Sequence, residues 1–428
     1  MKRRTIVRTA VIFSTALATV FVTLLILNLS LGDKQIDWRL PHRYAVASEQ
    51  FPRTMGTLLG PALVTGNRVE ELLNGEQIFP SMLAAINNAT RSISFESYIY
   101  WSGDIGRQFT EALSAQARNG VPVRVLLDWV GSEALDDSQL QRMREAGVQV
   151  SRYNRPRWYN LGRLNNRTHR KLLIIDGRIG FTGGAGIADQ WEGDGRTPGQ
   201  WRDTQYRAEG PVVAQMQAAF IDNWLQATGQ VPYGDDLLPP PADAGDQRAQ
   251  MFTSSPGAGA ESVQLMYLLS IASAVQSIKL SMAYFVPDDV AVNAFVAAMK
   301  RGVKVQLILP GDRIDVEIVR HASRAEWGEL LAAGAEIYEY QPSMYHCKVM
   351  IVDDLWVSVG STNFDSRSFS VNDEANLNVY DAAFARRQSE IFEQDRQRSR
   401  LITHDEWLNR PWREKITDFF ASLLSSQL

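Results

Sequence analysis

The segments THRKLLIID (Thr168–Asp176) and YHCKVMIVD (Tyr345–Asp353) both spell H-x-K-x4-D, each around a run of strand-forming residues, LLII and VMIV. The recurrence extends beyond this pattern. ATRSISFESYIYWSGD is matched by AVQSIKLSMAYFVPDD, which pairs Ser92 with Ser277 and Asp104 with Asp289. RNGVPVRVLLD is matched by KRGVKVQLILP, which pairs Gly120 with Gly302. A unit of roughly 150–180 residues written twice is too long for a solenoid repeat. The chain must therefore fold as two copies of one domain-sized element.

Within a copy, amphipathic helices alternate with short apolar strands. DIGRQFTEALSAQARNG reads as a helix ended by Gly120, and VPVRVLLDW as a buried strand. That alternation predicts βαβ units and an α/β fold: a duplicated domain with two mixed, mostly parallel sheets flanked by helices. A length of 428 residues is too great for one ordinary core and suits such a doubling. The stretch VPYGDDLLPPPADAGDQRA, rich in Pro, Gly and Asp, reads as a surface linker between the copies. The expected divisions are a connector over 33–70, a first domain over 71–229, a linker over 230–259, a second domain over 260–400 and a helical tail over 401–428. In that tail Trp412, Ile416, Phe419, Phe420, Leu423 and Leu424 recur at helical spacing. Packing on the core is the favoured reading, because the polar face is not strongly basic; resting on a bilayer is the alternative.

The N-terminus adds a membrane expectation. After the basic MKRRTIVR, the 24 residues from Thr9 to Gly32 carry no charge, enough for a helix to cross a hydrocarbon core of about 30 Å. A cleaved signal would have a shorter apolar region ending in small residues of the A-x-A kind. The run instead ends LILNLSLGD, so a retained single-pass anchor over 9–32 is expected. Lys2, Arg3, Arg4 and Arg8 would stay in the cytoplasm, placing the rest of the chain outside. A net charge of −4 argues against a nucleic-acid binder held by bulk charge. Cys347, the single cysteine, excludes an intrachain disulfide framework and a cysteine-rich metal site.

Residues two apart on a strand share a face, so His169 and Lys171 go together, as do His346 and Lys348. Such groups at the mouth of a buried strand are costly unless paired or used. Asp176 and Asp353 stand where turns begin (DGR, DDL) and complete each triplet, although bracing a turn or pairing with a buried cation suits them better than touching substrate. The small-residue turns that follow, GFTGGAG and VSVGSTN, would let backbone N–H groups approach an anion, with side-chain donors from Ser361 and Asn363. Two histidines, two lysines and such donors converging on one point suit a phosphate diester. The lysines would neutralise non-bridging oxygens, one histidine would attack phosphorus and the other would protonate the leaving alcohol. A metal site fits poorly: lysine is a weak ligand, and no carboxylate or cysteine stands at ligand spacing from either histidine. Serine hydrolysis lacks its G-x-S-x-G elbow. Only five histidines occur in the chain, so two in identical triplets mark an active site.

At these residues the chain resembles the phospholipase D superfamily, whose signature H-x-K-x4-D-x6-G-(S/G)-x-N occurs twice. His346, Lys348, Asp353, Gly360, Ser361 and Asn363 fit throughout; His169, Lys171, Asp176, Gly183 and Gly184 fit, but Gly186 stands where the family has asparagine. The likeness covers about residues 70–400. HRKLLIIDGRIGFTGG, WRDTQYRAEGPVV and NFDSRSFSVNDEANLNVYD are most similar to bacterial cardiolipin synthases. This resemblance implies an active site at the interface of the two domains and a phosphatidyl–histidine intermediate formed from phosphatidylglycerol. A second phosphatidylglycerol would release it as cardiolipin, without cofactor, metal or nucleotide. It further implies His169 as nucleophile, His346 as general acid, and Asp203 and Glu374 as carboxylates that fix a histidine tautomer. The segment SRYNRPRWYNLGRLNNRTHRK interleaves Arg152, Arg155, Arg157, Arg163 and Arg167 with Tyr153, Trp158 and Tyr159, and could grip lipid headgroups or a nucleic-acid strand. Three functions remain open: a phosphatidyltransferase, a hydrolase or anchored nuclease of the same superfamily, and a binding protein with a dead site.

Overall fold

The computed structural model describes residues 2–29, 36, 38–155, 165–256 and 262–427. Its strands are β1 (Val64–Leu73), β2 (Ile93–Ser97), β3 (Val123–Asp128), β4 (Gln149–Tyr153), β5 (Leu172–Ile175), β6 (Ile179–Gly183), β7 (Thr204–Glu209), β8 (Gln247–Ser254), β9 (Ser277–Met282), β10 (Lys304–Pro310), β11 (Glu336–Tyr340), β12 (Lys348–Val352), β13 (Trp356–Gly360), β14 (Glu374–Tyr380) and β15 (Ser399–Ile402). They form one sheet in the order β15-β11-β10-β9-β12-β13-β14-β8-β1-β7-β6-β5-β2-β3-β4. Read outward from the centre, each half repeats one order, so the duplication is explicit: β1 answers β8, β5 answers β12, and β7 answers β14.

The duplicated α/β architecture is as expected, with two refinements. The two sheets are joined edge to edge where β1 pairs antiparallel with β8, Val64 opposite Ala249. Among the named strands, parallel ladders are confined to β2-β3-β4 and β9-β10-β11. The other ladders are antiparallel, because the short turns after Asp176 and Asp353 fold β5 onto β6 and β12 onto β13 as hairpins.

Strand alternation distributes the core. Leu173 and Ile175 of β5 point into the first half's own core, and Met350 and Val352 of β12 into the second half's. Leu172, Ile174, Val349 and Ile351 point the other way, into a core shared by both halves. This places the front ends of β5 and β12, and the histidines just before them, at one seam.

The boundaries differ from those expected. The connector 33–70 contains the helix Gln50–Leu59 and the start of β1. Phe51 of that helix packs edge-on against Trp356 at 5.1 Å, inside the second half's core. The linker 230–259 contains β8, the second half's first strand. The tail begins inside β15 and continues through helices His404–Leu408 and Trp412–Ser422. At the N-terminus, helix Lys2–Leu29 includes an apolar span Val7–Ile26 with mean hydropathy 2.2, none of it buried against the chain. Its length and composition suffice to cross a bilayer.

Candidate active site

The site is built by exchange between the halves. The backbone N–H of His169 donates to the carbonyl of Asp373 (2.9 Å), and that of His346 to the carbonyl of Arg202 (2.8 Å). Each histidine is thereby stitched beside a residue that directly precedes an acid of the other copy. Glu374 accepts from Nδ1 of His169 at 2.9 and 3.0 Å, and Asp203 from Nδ1 of His346 at 2.7 Å. All four side chains are buried. The resemblance pointed to these acids; that each serves the opposite copy's histidine appears only in the fold.

Burial sets the protonation states. It holds His169 down to about 4 and lowers His346 as well, so both imidazoles are neutral at neutral pH. Burial opposes ionisation of Glu374 and Asp203, yet their histidine partners hold both carboxyls below the usual range. An ionised carboxylate at Nδ1 fixes the hydrogen there and leaves Nε2 with its lone pair. Burial, reinforced by Lys348, holds Lys171 down to about 7; burial also lowers Lys348. Each lysine donates to the carbonyl of its own copy's histidine at 3.0 Å, and the Lys348 ammonium lies 3.3 Å from both ring nitrogens of His346.

His169, Lys171 and His346 line one cavity of about 750 Å³. The Tyr98 ring meets His169 edge-on at 5.1 Å, whereas Trp191 and Trp201 flank His346 at 5.3 and 5.2 Å. Asn363 lines the cavity with a buried Oδ1 that has no hydrogen-bond partner among the described residues. Arg167 and Arg367 line it as well; burial lowers the pKa of Arg167, and the nearby Arg367 adds to that. A cavity walled by two neutral imidazoles, Lys171 and the guanidinium groups of Arg167 and Arg367 matches a phosphodiester anion. Sequence reasoning missed Tyr98, Trp191, Trp201 and Arg367, which belong to neither triplet; Tyr98 follows β2 directly, at the strand end where such sites gather.

Asp176 and Asp353 complete the triplets in sequence but do not line this cavity. Both sit at left-handed turn positions (φ +56° and +54°). Asp176 accepts from the backbone N–H groups of Thr90, Arg91 and Ser92, and Asp353 from those of Val275, Gln276 and Ser277. They lock the loops entering β2 and β9 to the hairpins. One expectation needs correction: in the small-residue turns the backbone donors of Gly184, Ser361 and Asn363 are spent inside the protein, whereas the Asn363 side chain lines the cavity. The backbone N–H groups of Gly184 and Ser361 bind the carbonyls of Thr204 and Ala375, and Asn363 N–H binds Ser368 Oγ. Ser361 Oγ donates to Glu374 at 2.5 Å, and Trp191 Nε1 supplies the corresponding donor to Asp203 at 2.8 Å.

Glycine is needed at 183, 184 and 360 for close approach. A Cβ at Gly183 or Gly360 would strike the neighbouring strand's backbone, and one at Gly184 would strike the Asp203 carboxylate. At Gly186 a Cβ would press on Ile99 and Trp191, so that position has no room for asparagine. Gly184→Ala is expected to displace Asp203 and lower kcat about 100-fold by misplacing His346. A kcat within twofold of the parent would show that the contact is not needed.

Arg157, Trp158, Tyr159 and Arg163 lie outside the described residues. Tyr153 is buried and donates to Asp373 (2.6 Å). Among the described residues, no group of three or more His, Cys, Asp or Glu could hold a metal ion.

The family described as cardiolipin synthase, PLD-like domain, matches residues 82–191 and 267–396. A cardiolipin synthase of Geobacillus kaustophilus is 36% identical over 360 residues, 83% of this chain and 72% of its own. The major cardiolipin synthase of Bacillus subtilis is 36% identical over 363 residues, 84% of this chain and 75% of its own. The crystal structure of a phosphatidylserine synthase from Haemophilus influenzae shares the fold with a TM-score of 0.70 at 12% identity, over 89% of this chain and 99% of that one.

Proposed function

The chain belongs to the cardiolipin synthase, PLD-like domain family, and on that premise we propose that it joins two phosphatidylglycerol molecules into cardiolipin and glycerol through a phosphatidyl–histidine intermediate. The observation that carries this reading is the pair of crossed histidine–carboxylate contacts opening on one cavity.

The phosphodiester of the first lipid enters between the imidazoles, with Lys171 and Lys348 against its non-bridging oxygens. Its negative charge favours the protonated forms of both lysines and of His346, which burial disfavours in the empty site. His169 Nε2 attacks phosphorus; a P–N bond forms as the bond from phosphorus to the glycerol oxygen breaks. His346 gives its proton to that oxygen, and glycerol departs. The hydroxyl of a second phosphatidylglycerol then loses its proton to His346 and attacks phosphorus. The P–N bond breaks, and His169 returns to its starting state. Glu374, itself held by Ser361, keeps the His169 Nδ1–H in place throughout. Asp203, held by Trp191, supports the imidazolium of His346.

Asp176 and Asp353 act in this scheme by holding the strands, not by touching phosphorus. Ile99, Trp101, Val130, Val316 and Val319 give the cavity apolar walls, which favour a lipid hydroxyl over water as acceptor. Helix Val7–Ile26 anchors the enzyme in the cell's inner membrane, with Lys2, Arg3, Arg4 and Arg8 on the cytoplasmic side and the catalytic domain outside.

Purified full-length protein supplied with phosphatidylglycerol in detergent or nanodiscs is expected to yield cardiolipin and glycerol in equal amounts. Phosphatidic acid as the sole lipid product would replace this reading with hydrolysis. Cleavage of single-stranded DNA without lipid turnover would replace it with a nuclease.

A further inference from the structure

Helix Trp412–Ser422 is mounted inside out. An amphipathic helix on a protein body ordinarily buries its apolar side. Here the buried residues are Asp418 and Ala421. Asp418 is clamped between His321 Nδ1 (2.8 Å) and Arg410 Nε (2.9 Å), and Glu414 is paired with Arg324 (2.9 Å). These polar contacts fasten the helix against the neighbouring helix Glu317–Ala325. The apolar side faces outward as a result: Trp412 is 66% exposed, Phe419 59%, Phe420 62% and Leu423 63%, with Ile416 and Leu424 exposed beside them. The sequence reading that this row packs on the core is thus reversed.

The position and charge of this face identify what covers it. Beyond the helix, the chain end Ser425–Gln427 touches the short helix Ser366–Ser370, which carries Arg367, and Gln427 lines the catalytic cavity. Val316, also lining the cavity, and Ile318 add exposed apolar surface at the start of helix Glu317–Ala325. The apolar face and the cavity mouth are therefore continuous. On the helix itself the outward charges are Arg413 and Lys415, while Asp418 is buried and the half-buried Glu414 is paired with Arg324. An apolar ridge flanked by basic groups is complementary to an anionic lipid surface.

We propose that Trp412–Leu424 is a bilayer-docking surface that seats the cavity mouth on an anionic membrane, so that phosphatidylglycerol passes into the site without crossing water. The claim rests on the lipid-substrate reading, but its primary test does not need turnover. Cys347 is the chain's single cysteine and is buried, so Phe420→Cys in the full-length protein gives one accessible thiol for a nitroxide. In nanodiscs of phosphatidylglycerol and phosphatidylethanolamine, collisions with oxygen are expected to dominate over those with a water-soluble nickel chelate, the signature of immersion. Dominant nickel collisions would overturn the docking surface, as would dipolar broadening showing that a second copy covers the face. In a second measurement, Phe419→Ser, Phe420→Ser and Leu423→Ser combined should slow turnover of nanodisc-embedded phosphatidylglycerol at least about tenfold while sparing a dispersed short-chain phosphatidylglycerol. Equal loss on both substrates would mean that the helix supports the fold and not docking. A wild-type enzyme inactive on either lipid would refute the proposed reaction and leave the immersion result standing.

Discussion

With phosphatidylglycerol as substrate, the His169→Ala enzyme is expected to lose turnover by a factor on the order of 10⁴ or more, since removing a nucleophile abolishes the covalent route. Its melting profile in detergent should stay close to the parent's, because the imidazole's one strong contact is with Glu374, and Glu374 keeps Ser361 as donor. Burial already holds this imidazole neutral down to about pH 4, so no proton has to be removed before attack at neutral pH. Retention of more than a few per cent of parental turnover would remove His169 from the nucleophile's role.

Arg202→Met is expected to cost about 3–5 kcal/mol of stability, because it leaves a buried carboxylate without its cation. Arg202 is buried at the seam and reaches Asp395 through Nε (3.0 Å) and Nη2 (2.9 Å). Its Nη1 donates to the carbonyl of Asp203 (2.7 Å), and its own carbonyl accepts from His346 N–H. The ion pair therefore ties the helix Ala382–Arg396 of the second half to the loop of the first half that carries Asp203. Adding Asp395→Asn to Arg202→Met should recover much of the loss, since no unpaired charge then remains. Chemical denaturation of the full-length protein in detergent reads both. A single-variant loss below about 1 kcal/mol would show that the carboxylate finds water or another partner.

Much of this arrangement was legible in the residues. The doubled H-x-K-x4-D named both histidines and lysines, and turns were expected at Asp176 and Asp353. Strand alternation fixed which side chains go together. It could not say that Glu374 serves His169 and Asp203 serves His346, because that exchange depends on how two copies meet and not on any spacing within one. The glycine-rich turns were read as anion cradles because small residues permit close approach. They do permit it, but what approaches is the neighbouring strand and the Asp203 carboxylate. In the tail, periodicity revealed an apolar row at Trp412, Ile416, Phe419 and Phe420. Which side faces the body was decided by a buried acid, Asp418, whose partners are His321 on the helix Glu317–Ala325 and Arg410 just before its own helix.

The decisive measurement is to quench the full-length enzyme in alkali during turnover of phosphatidylglycerol, digest it and locate the phosphorus by mass spectrometry. A phosphatidyl group on the peptide containing His169, present during turnover and lost once substrate is consumed, is the predicted result. An adduct on His346 instead, or turnover with no histidine adduct at any time, would contradict the account.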